Sequence, residues 1–405
     1  MSNYFIFKKV EIKKVKIFIF TFLLSFGLST FEQNADFDKF LWITADSMQD
    51  RESINQALYF AYDHDFKKVF IQCRFRGDSF YNSKIVPKNN IVNPDFDPLK
   101  YAIFVGHQLG LEIHAWMNTY ILWSNNGVLN PEPTNLNHIY HTNKDWLESN
   151  IHGKSDALID LSIRQSPNWE GVYLSPNHPE VNEYLISVFK EVLDNYEIDG
   201  LHLDYIRFQN DIYGYNRKGR ELFQEKYDFD PLDIERNIIS SRYGWQESEI
   251  DSMKVVWSNY KINNINNLLL NLKKVIDNQD KDIYLSAAVK SNPDSAKNKW
   301  SQDWVFWLDS DLLDFAVLMN YAPNSTDFYN SIGSIKDHEG QDLNKIVMGI
   351  STYNQDSKKV SEKIYLSYLY GFKGISLFSY NSIEKNQKTD LNWFYPIIDI
   401  FNTIN

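Results

Sequence analysis

The stretch DGLHLDYIRF (residues 199–208) alternates apolar and polar side chains through its middle. Successive side chains of a β-strand point to opposite faces, so Leu201 and Leu203 share one face while His202 and Asp204 share the other. Strands of a parallel sheet that is covered by helices are apolar on the side that meets the helices. The stretch therefore predicts a strand whose leucines pack outward and whose polar residues point into the interior of a barrel.

Seven other runs rich in β-forming residues occur along the chain, and segments with helical periodicity separate them. Together with residues 200–204, the runs are 40–45, 68–72, 111–116, 283–289, 315–320, 346–351 and 375–378. Alternation of strands and helices is typical of α/β proteins with a parallel sheet, and eight such strands close a TIM barrel. The sequence therefore predicts the α/β class and a (β/α)8 TIM barrel.

The segments after the third and fourth runs are long, covering residues 120–173 and 205–280. Neither a Gly/Ser linker nor an internal repeat interrupts the chain, so residues 31–405 are predicted to form one barrel domain with long loops after strands 3 and 4. Long connections in compact domains are usually functional, and TIM-barrel active sites lie at the C-terminal ends of the strands. Both loops are therefore expected to border the active site.

Residues 1–30 have the pattern of a secretory signal peptide. Five lysines precede an apolar run over residues 17–29, and Gly27 and Ser29 supply small side chains near its end. The run is shorter than the ~20 residues that cross a bilayer, which favours a cleaved signal over an uncleaved anchor, the alternative interpretation. We expect export to the periplasm, cell surface or exterior of a bacterium, with no stable membrane insertion after signal cleavage.

The charge and composition of the chain narrow the class of partner. Its 53 acidic and 41 basic residues give a net charge of −12. Nucleic-acid binding depends on Lys and Arg side chains that neutralise phosphates, so no nucleic-acid partner is expected. Aromatic residues reach 16%, which is a high share.

The third run repeats the inward polar pattern of the fourth. Ile113 and Ala115 fall on its outer face, whereas His114 and Trp116 fall on the inner face and Asn118 continues that face at the rim. A barrel that served only as a scaffold would fill its interior with Val, Ile and Leu. The inner polar residues therefore predict a polar substrate bound at the rim.

Asp204 is the leading catalytic candidate, because it ends its strand at the rim where barrel active sites lie. Asp199 and Asp314 begin their strands at the opposite rim, which favours structural roles for them. The alternative for Asp204 is also structural, with its carboxylate neutralising one of three arginines: Arg74, Arg76 or Arg207.

Five stretches together resemble the bacterial glycosyl hydrolase-like family 10. They are KKVFIQCRFRGDSFYNSK (67–84), FDPLKYAIFVGHQLGLEIHAWMNTY (96–120), LSPNHPEVNEYLISVFKEVLDNYEIDGLHLDYIRF (174–208), QDWVFWLDSDLLDFAVLMNYA (302–322) and GFKGISLFSY (371–380). They cover most of residues 40–380 in the family's order. The resemblance implies a (β/α)8 fold and hydrolysis of a glycan outside the cytoplasm, which for some members is the glycan strand of peptidoglycan.

The resemblance also implies a set of site residues. The matching positions are Arg76, Gly77 and Asp78 after strand two, His114, Trp116 and Asn118 on strand three, His202, Asp204, Tyr205 and Arg207 on strand four, and Asp303, Asn320 and Tyr321 later in the chain. Two positions depart from the family pattern. Many members have a second Asp where this chain has Tyr205, and Lys261 replaces an Arg that is common on the following helix.

Glycoside hydrolysis ordinarily uses two carboxyl groups, one that protonates the leaving oxygen and one that acts as nucleophile or activates water. Asp204 is assigned here as nucleophile or base. The acid is left open between Asp78 and Asp303, on the loops after strands two and five. For Asp303 an equal alternative is a helix N-cap before Trp304.

Sugar binding is expected to use flat aromatic faces and hydrogen-bonding side chains near the rim. The aromatic candidates are Trp116, Trp123, Tyr205, Tyr321 and Tyr380, and the polar candidates are Arg76, Asn118 and Arg207, with His114, His202 and Asn320 added from the family motifs. The alternative for most aromatics is a place in the core.

Two rival functions stay open. One is a metal-dependent barrel hydrolase that uses His114, His202 and Asp204, and the other is a catalytically inactive glycan-binding barrel. The first would be expected to carry closely spaced His pairs on one strand, which this sequence lacks. No metal and no cofactor is therefore predicted.

Overall fold

Eight parallel strands close into a barrel in the computed structural model, which describes residues 37–124, 132–159, 169–336 and 342–404. Each strand pairs in parallel with the next, and the last pairs with the first, which confirms the predicted TIM barrel. The strands are β1 (Asp38–Ile43), β2 (Lys68–Phe75), β3 (Glu112–Asn118), β4 (Gly200–Asp204), β5 (Tyr284–Lys290), β6 (Phe315–Met319), β7 (Ile346–Ser351) and β8 (Gly374–Phe378).

Helices surround the barrel and cover the apolar outer faces of its strands. Those of the barrel's βα units are α1 (Arg51–Asp63), α2 (Pro98–Gln108), α4 (Pro179–Asn195), α8 (Glu247–Asp277), α9 (Pro293–Trp300), α10 (Trp304–Asp309), α11 (Ser325–Lys336), α12 (Ser357–Leu369), α13 (Tyr380–Thr389) and α14 (Tyr395–Ile404). Helix α4 is representative, because Leu185, Val188 and Val192 recur at helical spacing and are buried. Its first turn is fixed by Pro179, whose ring sets the helical φ angle, and by the His178 side chain, which accepts from the backbone N–H of Glu180.

The connection after β4 is largely helical, although the sequence predicted a long loop there. It contains α5 (Arg217–Tyr227), α6 (Leu232–Glu235) and α7 (Ile239–Tyr243) before α8 begins. Phe223, Phe229 and Trp257 pack there in a cluster of their own, separate from the main core. Burial of this cluster stabilises helices α5, α6 and α7, which the sequence pattern did not predict.

The connection after β3 has little regular structure among its described residues. A short helix, α3 (Ile139–Thr142), and single 3-10 turns lie in it, and Ile121–Trp123 pairs antiparallel with Val172–Tyr173. This pairing brings the end of the connection back over the C-terminal rim of the barrel.

Aromatic rings fill the lower part of the barrel interior. Phe40 and Phe70 stack at 5.0 Å between ring centroids, and Phe315 lies 5.3 Å from Phe40. With Trp42 and Trp116, these rings form an interior cluster that is separate from the outer core. Much of the aromatic surplus in the composition is therefore structural.

Two carboxylates at the N-terminal rim tie neighbouring strands together. Asp199 accepts from the backbone N–H of Ile113 at 2.6 Å, and Asp314 accepts from the backbone N–H of Leu285 at 2.6 Å. Each bond satisfies a backbone donor at the start of a neighbouring strand. The structural role expected for Asp199 and Asp314 is confirmed.

Residues 37–405 form one compact unit by their internal contacts. The predicted signal peptide, residues 1–30, lies outside the described residues. Among the residues that are described, none of the helices is both long enough and apolar enough to cross a membrane.

Candidate active site

A cleft lined by aromatic and charged side chains opens at the C-terminal ends of the strands, where the sequence predicted the active site. Its volume is about 460 Å³, within the ~300–1,000 Å³ range of small-molecule sites. We call it the rim cleft, and it is lined by Trp42, Thr44, Ala45, Asp46, Gln72, Phe75, Trp116, Asn118, Glu170, Asp204, Tyr205, Arg207, Ala288, Lys290, Met319, Tyr321 and Phe378. Six of the predicted site residues meet in it: Trp116, Asn118, Asp204, Tyr205, Arg207 and Tyr321.

Asp204 ends β4 with its carboxyl group facing the rim cleft. One oxygen accepts from the indole Nε1–H of Trp116 at 3.2 Å, and the other accepts from the backbone N–H of Tyr205 at 2.7 Å. Burial raises the pKa of Asp204 from 3.8 to about 6, against the lowering effect of these two bonds and of Arg207. Among the described residues Asp204 forms no ion pair, so the arrangement does not favour a purely charge-neutralising role.

Tyr205 follows directly and adopts a left-handed backbone conformation, with φ of 52°. This conformation is unfavourable for a side chain larger than glycine, and functional sites often hold such residues. The carbonyls of Asp204 and Tyr205 accept from the backbone N–H groups of Thr119 and Tyr120, which anchors the turn to the end of β3. The backbone strain thus lies beside the candidate catalytic carboxyl group.

Glu170 is a second carboxylate in the cleft, and the sequence did not point to it. Arg207 lies 2.9 Å from one of its oxygens and donates to the other at 3.1 Å, while the Tyr173 hydroxyl donates at 2.5 Å. Burial acts to raise the pKa of Glu170, but Arg207 and Tyr173 outweigh it and hold the pKa below its ordinary value. Between the lowered pKa of Glu170 and a pH of about 6, Glu170 is therefore ionised while Asp204 keeps its proton.

Lys290 ends β5 and also lines the cleft. Burial lowers its pKa to about 8, and the nearby Arg207 acts in the same direction, whereas Glu170 and Asp204 raise it. Its ammonium group lies 4.8 Å from the ring centroid of Trp300, a cation–π contact. The cleft therefore holds two cations, Arg207 and Lys290, beside the carboxyl groups of Asp204 and Glu170.

Amide side chains form the floor of the cleft on the β2 and β3 side. Gln72 accepts from the backbone N–H of Ala45 at 3.0 Å and donates to the Asn118 side chain at 3.3 Å. These bonds hold Asn118, which is 2% exposed, in a fixed orientation at the end of β3. A hydroxyl group of a bound ligand would meet an already ordered amide there.

His114 and His202 lie in the interior below the cleft, and neither lines it. Trp42 donates its indole N–H to Nε2 of His202 at 3.2 Å, so the opposite nitrogen of this ring donates to Ser286 at 2.9 Å. His114 packs among the interior rings, and a Cβ on Gly200 would come within 2.0 Å of its Nδ1. Direct sugar contact by these histidines, as the family motifs implied, is therefore not supported by their placement.

The same placement bears on the metal-dependent alternative. Both nitrogens of His202 are engaged by neighbours, and burial lowers its pKa well below the ordinary value, which keeps the ring neutral. Within the described ranges, no group of three His, Cys, Asp or Glu side chains is placed to hold a metal ion. His114, His202 and Asp204 do not form a coordination set.

Arg76 and Asp78 lie in a neighbouring cavity, which we call the β2 pocket. Its volume is also about 460 Å³, and it is lined by Ala45, Asp46, Phe75, Arg76, Asp78, Phe80, Lys88, Asn89, Asn90, Ile91, Trp123, Pro133, Thr134 and Asn135. Burial raises the pKa of Asp78 to about 7, while Arg74 and Arg76 act to lower it. Asp78 is thus a perturbed carboxyl group outside the cavity that Asp204 lines.

Three further predicted residues lie away from both cavities. Asp303 precedes α10 at the N-cap position without a side-chain capping bond, and it pairs with Lys297 at 2.8 Å. Asn320 donates to the backbone carbonyl of Phe328 at 3.4 Å, and Tyr380 packs 5.3 Å from Phe60 in the outer core. The structure therefore does not bring Asp303, Asn320 or Tyr380 to the cleft.

Two of the charged residues that line the cleft and were not predicted as site residues, Lys290 and Glu170, differ in how they could have been found. Lys290 directly follows the predicted run 283–289 and ends the observed strand β5, so extending that run by one residue would have brought it under the rule that selected Asp204. Glu170 lies in the long connection after β3, where no periodic pattern exists. The pairing of Ile121–Trp123 with Val172–Tyr173 and the ion pair with Arg207 hold it over the rim.

Comparison with known proteins gives matches of two kinds. The family model described as Glycosyl hydrolase-like 10 matches residues 32–367. Glycosyl hydrolase DigH of Escherichia coli K12 is 26% identical over 151 residues, which cover 34% of this chain and 30% of that protein. Glycosyl hydrolase YngK of Bacillus subtilis is 26% identical over 147 residues, which cover 34% of this chain and 24% of that protein. The chain thus matches less than a third of the length of these curated relatives.

Solved structures share the barrel at low sequence identity. The glycoside hydrolase domain of PgaB (BpsB) from Bordetella bronchiseptica has a TM-score of 0.62 at 13% identity, covering 88% of this chain and 98% of that domain. The catalytic domain of β-amylase from Paenibacillus polymyxa has a TM-score of 0.54 at 12% identity, covering 90% and 97%. These likenesses concern the fold, whereas the family match spans residues 32–367, which include all the residues that line the rim cleft except Phe378. The protein therefore belongs to the glycosyl hydrolase-like 10 family.

Proposed function

We propose that the protein is an exported glycoside hydrolase that cleaves a polysaccharide or a peptidoglycan glycan strand in the rim cleft. The observation that carries the proposal is the pair of Asp204 and Glu170, whose surroundings shift their pKa values in opposite directions within one cleft. Membership in the family, and relatives that are named glycosyl hydrolases, support a glycan as the substrate. The signal-like pattern of residues 1–30 supports export.

Asp204 acts in this proposal as the proton donor. With a pKa of about 6 it is mostly protonated at pH 5, whereas an ordinary Asp near 3.8 would be ionised. A carboxyl group that keeps its proton can transfer it to the glycosidic oxygen while the bond to the anomeric carbon breaks. The raised pKa favours this acid role over the role of nucleophile or base that the sequence suggested.

Glu170 acts as the ionised partner. Its negative charge would stabilise the oxocarbenium-like transition state, and it would serve as nucleophile or as base toward a water molecule. Arg207 and the Tyr173 hydroxyl fix the orientation of the carboxylate while they keep it charged. The two local environments therefore give two carboxyl groups different protonation states, one suited to the acid and the other to the nucleophile or base.

The sugar ring would lie among aromatic and amide side chains. Tyr321 stacks on Phe378 with 5.3 Å between centroids, and the ring of Tyr205 has the Arg207 guanidinium 5.0 Å from its centroid. These neighbours restrict both tyrosines, so that their exposed edges and faces are ordered before a ligand binds. Asn118, oriented by Gln72, would bond a hydroxyl group.

The pH dependence of hydrolysis tests the assignment of the acid. We expect kcat/KM to fall as pH rises through about 6, because Asp204 then loses the proton that it must donate. The loss at low pH should begin only below the ordinary Glu value of 4.5, because the pKa of Glu170 is lowered. Reducing-end release from soluble denuded peptidoglycan strands, and from a panel of polysaccharides, measures both limbs. An activity optimum above pH 8 would contradict the assignment.

A glycan-binding barrel without catalysis is the competing function. It would bind members of the same panel with the wild-type sequence but release no reducing ends at any pH. That outcome would remove the hydrolase proposal and leave glycan binding in its place.

A further inference from the structure

The β2 pocket and the rim cleft adjoin each other. Ala45, Asp46 and Phe75 line both cavities, so the end of β2 lies directly beside the centre of the barrel. Each part has a volume of about 460 Å³. A ligand seated at Asp204 that extends past Asp46 would enter the β2 pocket.

The β2 pocket has a built framework of aromatic and cationic side chains. The Arg76 guanidinium lies 4.4 Å from the ring centroid of Trp123 and 5.8 Å from that of Phe75, and it donates to the backbone carbonyl and hydroxyl of Ser124. These contacts hold the guanidinium in one place. An ordered donor therefore lies against aromatic surface, the combination that ligand pockets use for orientation.

The backbone turn that carries Arg76 is held in place by His138. Both Arg76 and Gly77 have left-handed backbone angles, with φ of 56° and 73°. A Cβ on Gly77 would lie 2.4 Å from Nε2 of His138, and that ring nitrogen bonds the Arg76 carbonyl at 2.9 Å. Only glycine fits between the turn and His138, so the position of Arg76 is set by packing.

Planar polar groups face the same space. Asp78 keeps 17% of its side chain exposed and accepts from the Asn89 amide at 3.1 Å. Asn90 and Asn135 line the pocket and are exposed. Carboxylate and amide side chains of this kind can each form two hydrogen bonds with neighbouring hydroxyl or acetamido groups of a sugar. Lys88 is not part of this set, because its ammonium group bonds Asn82 and two backbone carbonyls.

We propose that the β2 pocket is a second glycosyl-binding subsite, which holds the sugar unit adjoining the one at Asp204 on the same glycan chain. Arg76 and Asp78 bond the substituents of that sugar, and the Trp123 side of the pocket covers its ring. The inference rests on the proposed function of the rim cleft. It also gives Asp78 a binding role in place of the acid role suggested from sequence, since Asp78 and Asp204 line different cavities.

The test measures binding as a function of glycan length in the Asp204→Asn protein, in which hydrolysis should be silenced. The probes are β-1,4-linked N-acetylglucosamine oligomers and denuded peptidoglycan fragments, each of two to six sugars, titrated by calorimetry. We expect Kd to fall with length. Adding Asp78→Ala should raise Kd for the long oligomers about tenfold, the effect of ~1.4 kcal/mol, and leave the shortest ligand unchanged.

Trp123→Ala is the second variant and should produce the same selective loss for long oligomers. Because Trp123 is only 8% exposed, the thermal unfolding of the Trp123→Ala variant must be compared with that of the parent protein. If Trp123→Ala does not fold, the test depends on Asp78→Ala alone. Asp309→Ala and Tyr59→Ala are the matched controls, as both residues are exposed and line neither cavity.

The outcomes separate this subsite from the proposed function. Long oligomers that bind equally well with and without Asp78→Ala would overturn the subsite, whether or not the wild type hydrolyses glycans. Length-dependent binding that needs Asp78, in a wild type that cleaves nothing, would support the subsite and overturn only the hydrolase proposal. Binding of none of the probes at any length would overturn the subsite.

Discussion

Asp204→Asn should lower kcat by about two to four orders of magnitude on any glycan that the wild type cleaves, the range typical of a lost general acid. Asparagine keeps the size of the side chain, and its single oxygen can accept from either the Trp116 indole or the Tyr205 backbone N–H, but it has no acidic proton to donate to the leaving oxygen. KM should change little, because the sugar contacts at Asn118 and Tyr321 are untouched. Initial rates of reducing-end release at pH 5 measure both parameters.

The same substitution should stabilise the protein at neutral pH. Folding raises the pKa of Asp204 from 3.8 to about 6, so ionisation of this group costs more in the folded than in the unfolded state. Above about pH 6 this lowers the free energy of unfolding of the wild type by up to about 3 kcal/mol. Below pH 3.8 the carboxyl group is protonated in both states, and the penalty vanishes. Denaturant unfolding at pH 4 and pH 8 should show Asp204→Asn more stable than the wild type at pH 8, with little difference at pH 4.

Asp46→Asn is the informative comparison, since Asp46 is an exposed carboxylate that lines the same cleft. We expect it to lower kcat far less than Asp204→Asn does and to leave stability unchanged at both pH values. If Asp46→Asn gave the larger loss of kcat, the proton donor would be Asp46, and the role assigned to Asp204 would be wrong.

The eight β-forming runs in the sequence were enough to predict the barrel fold. All eight predicted runs coincide with barrel strands, because inward polar and outward apolar residues alternate in β3 and β4 and apolar residues mark the others. The helices α5, α6 and α7 were not predicted, because the side chains around Phe223 and Trp257 form a separate core. They are therefore not part of the repeating strand–helix pattern of the barrel. Local periodicity therefore predicts the elements that repeat and misses an insertion that builds its own core.

The candidate site was predictable where it lies on strands and not where it lies on loops. Asp204 and Trp116 follow from the alternation of apolar and polar side chains along β4 and β3. The same alternation correctly placed His114 and His202 in the barrel interior, but it could not predict how far below the rim they lie. Depth depends on the stagger between strands, which only the closed barrel defines. Glu170 depends on a loop that crosses the rim, and a loop of this length has no periodicity that would give its path.

The pair of Glu170 and Arg207 yields the second large effect. Glu170→Gln should lower kcat by about a hundredfold or more, because a neutral amide can neither stabilise the developing positive charge nor activate water. It should also destabilise the fold, since Arg207 is 3% exposed and would lose its carboxylate partner. Glu170 itself is 34% exposed, so we expect the lower end of the range for a broken buried pair, about 3 kcal/mol.

The double variant Glu170→Gln, Arg207→Met separates the two effects. Removing the buried guanidinium along with its partner should recover most of the lost stability, because methionine fills similar space without an unpaired charge. It should not recover kcat, because the second carboxylate is still missing. Urea unfolding and initial rates on the wild type, Glu170→Gln, Arg207→Met and the double variant complete a double-mutant cycle. Recovery of both stability and activity in the double variant would mean that Glu170 serves only to neutralise Arg207, and the second catalytic carboxylate would then have to be sought at Asp46.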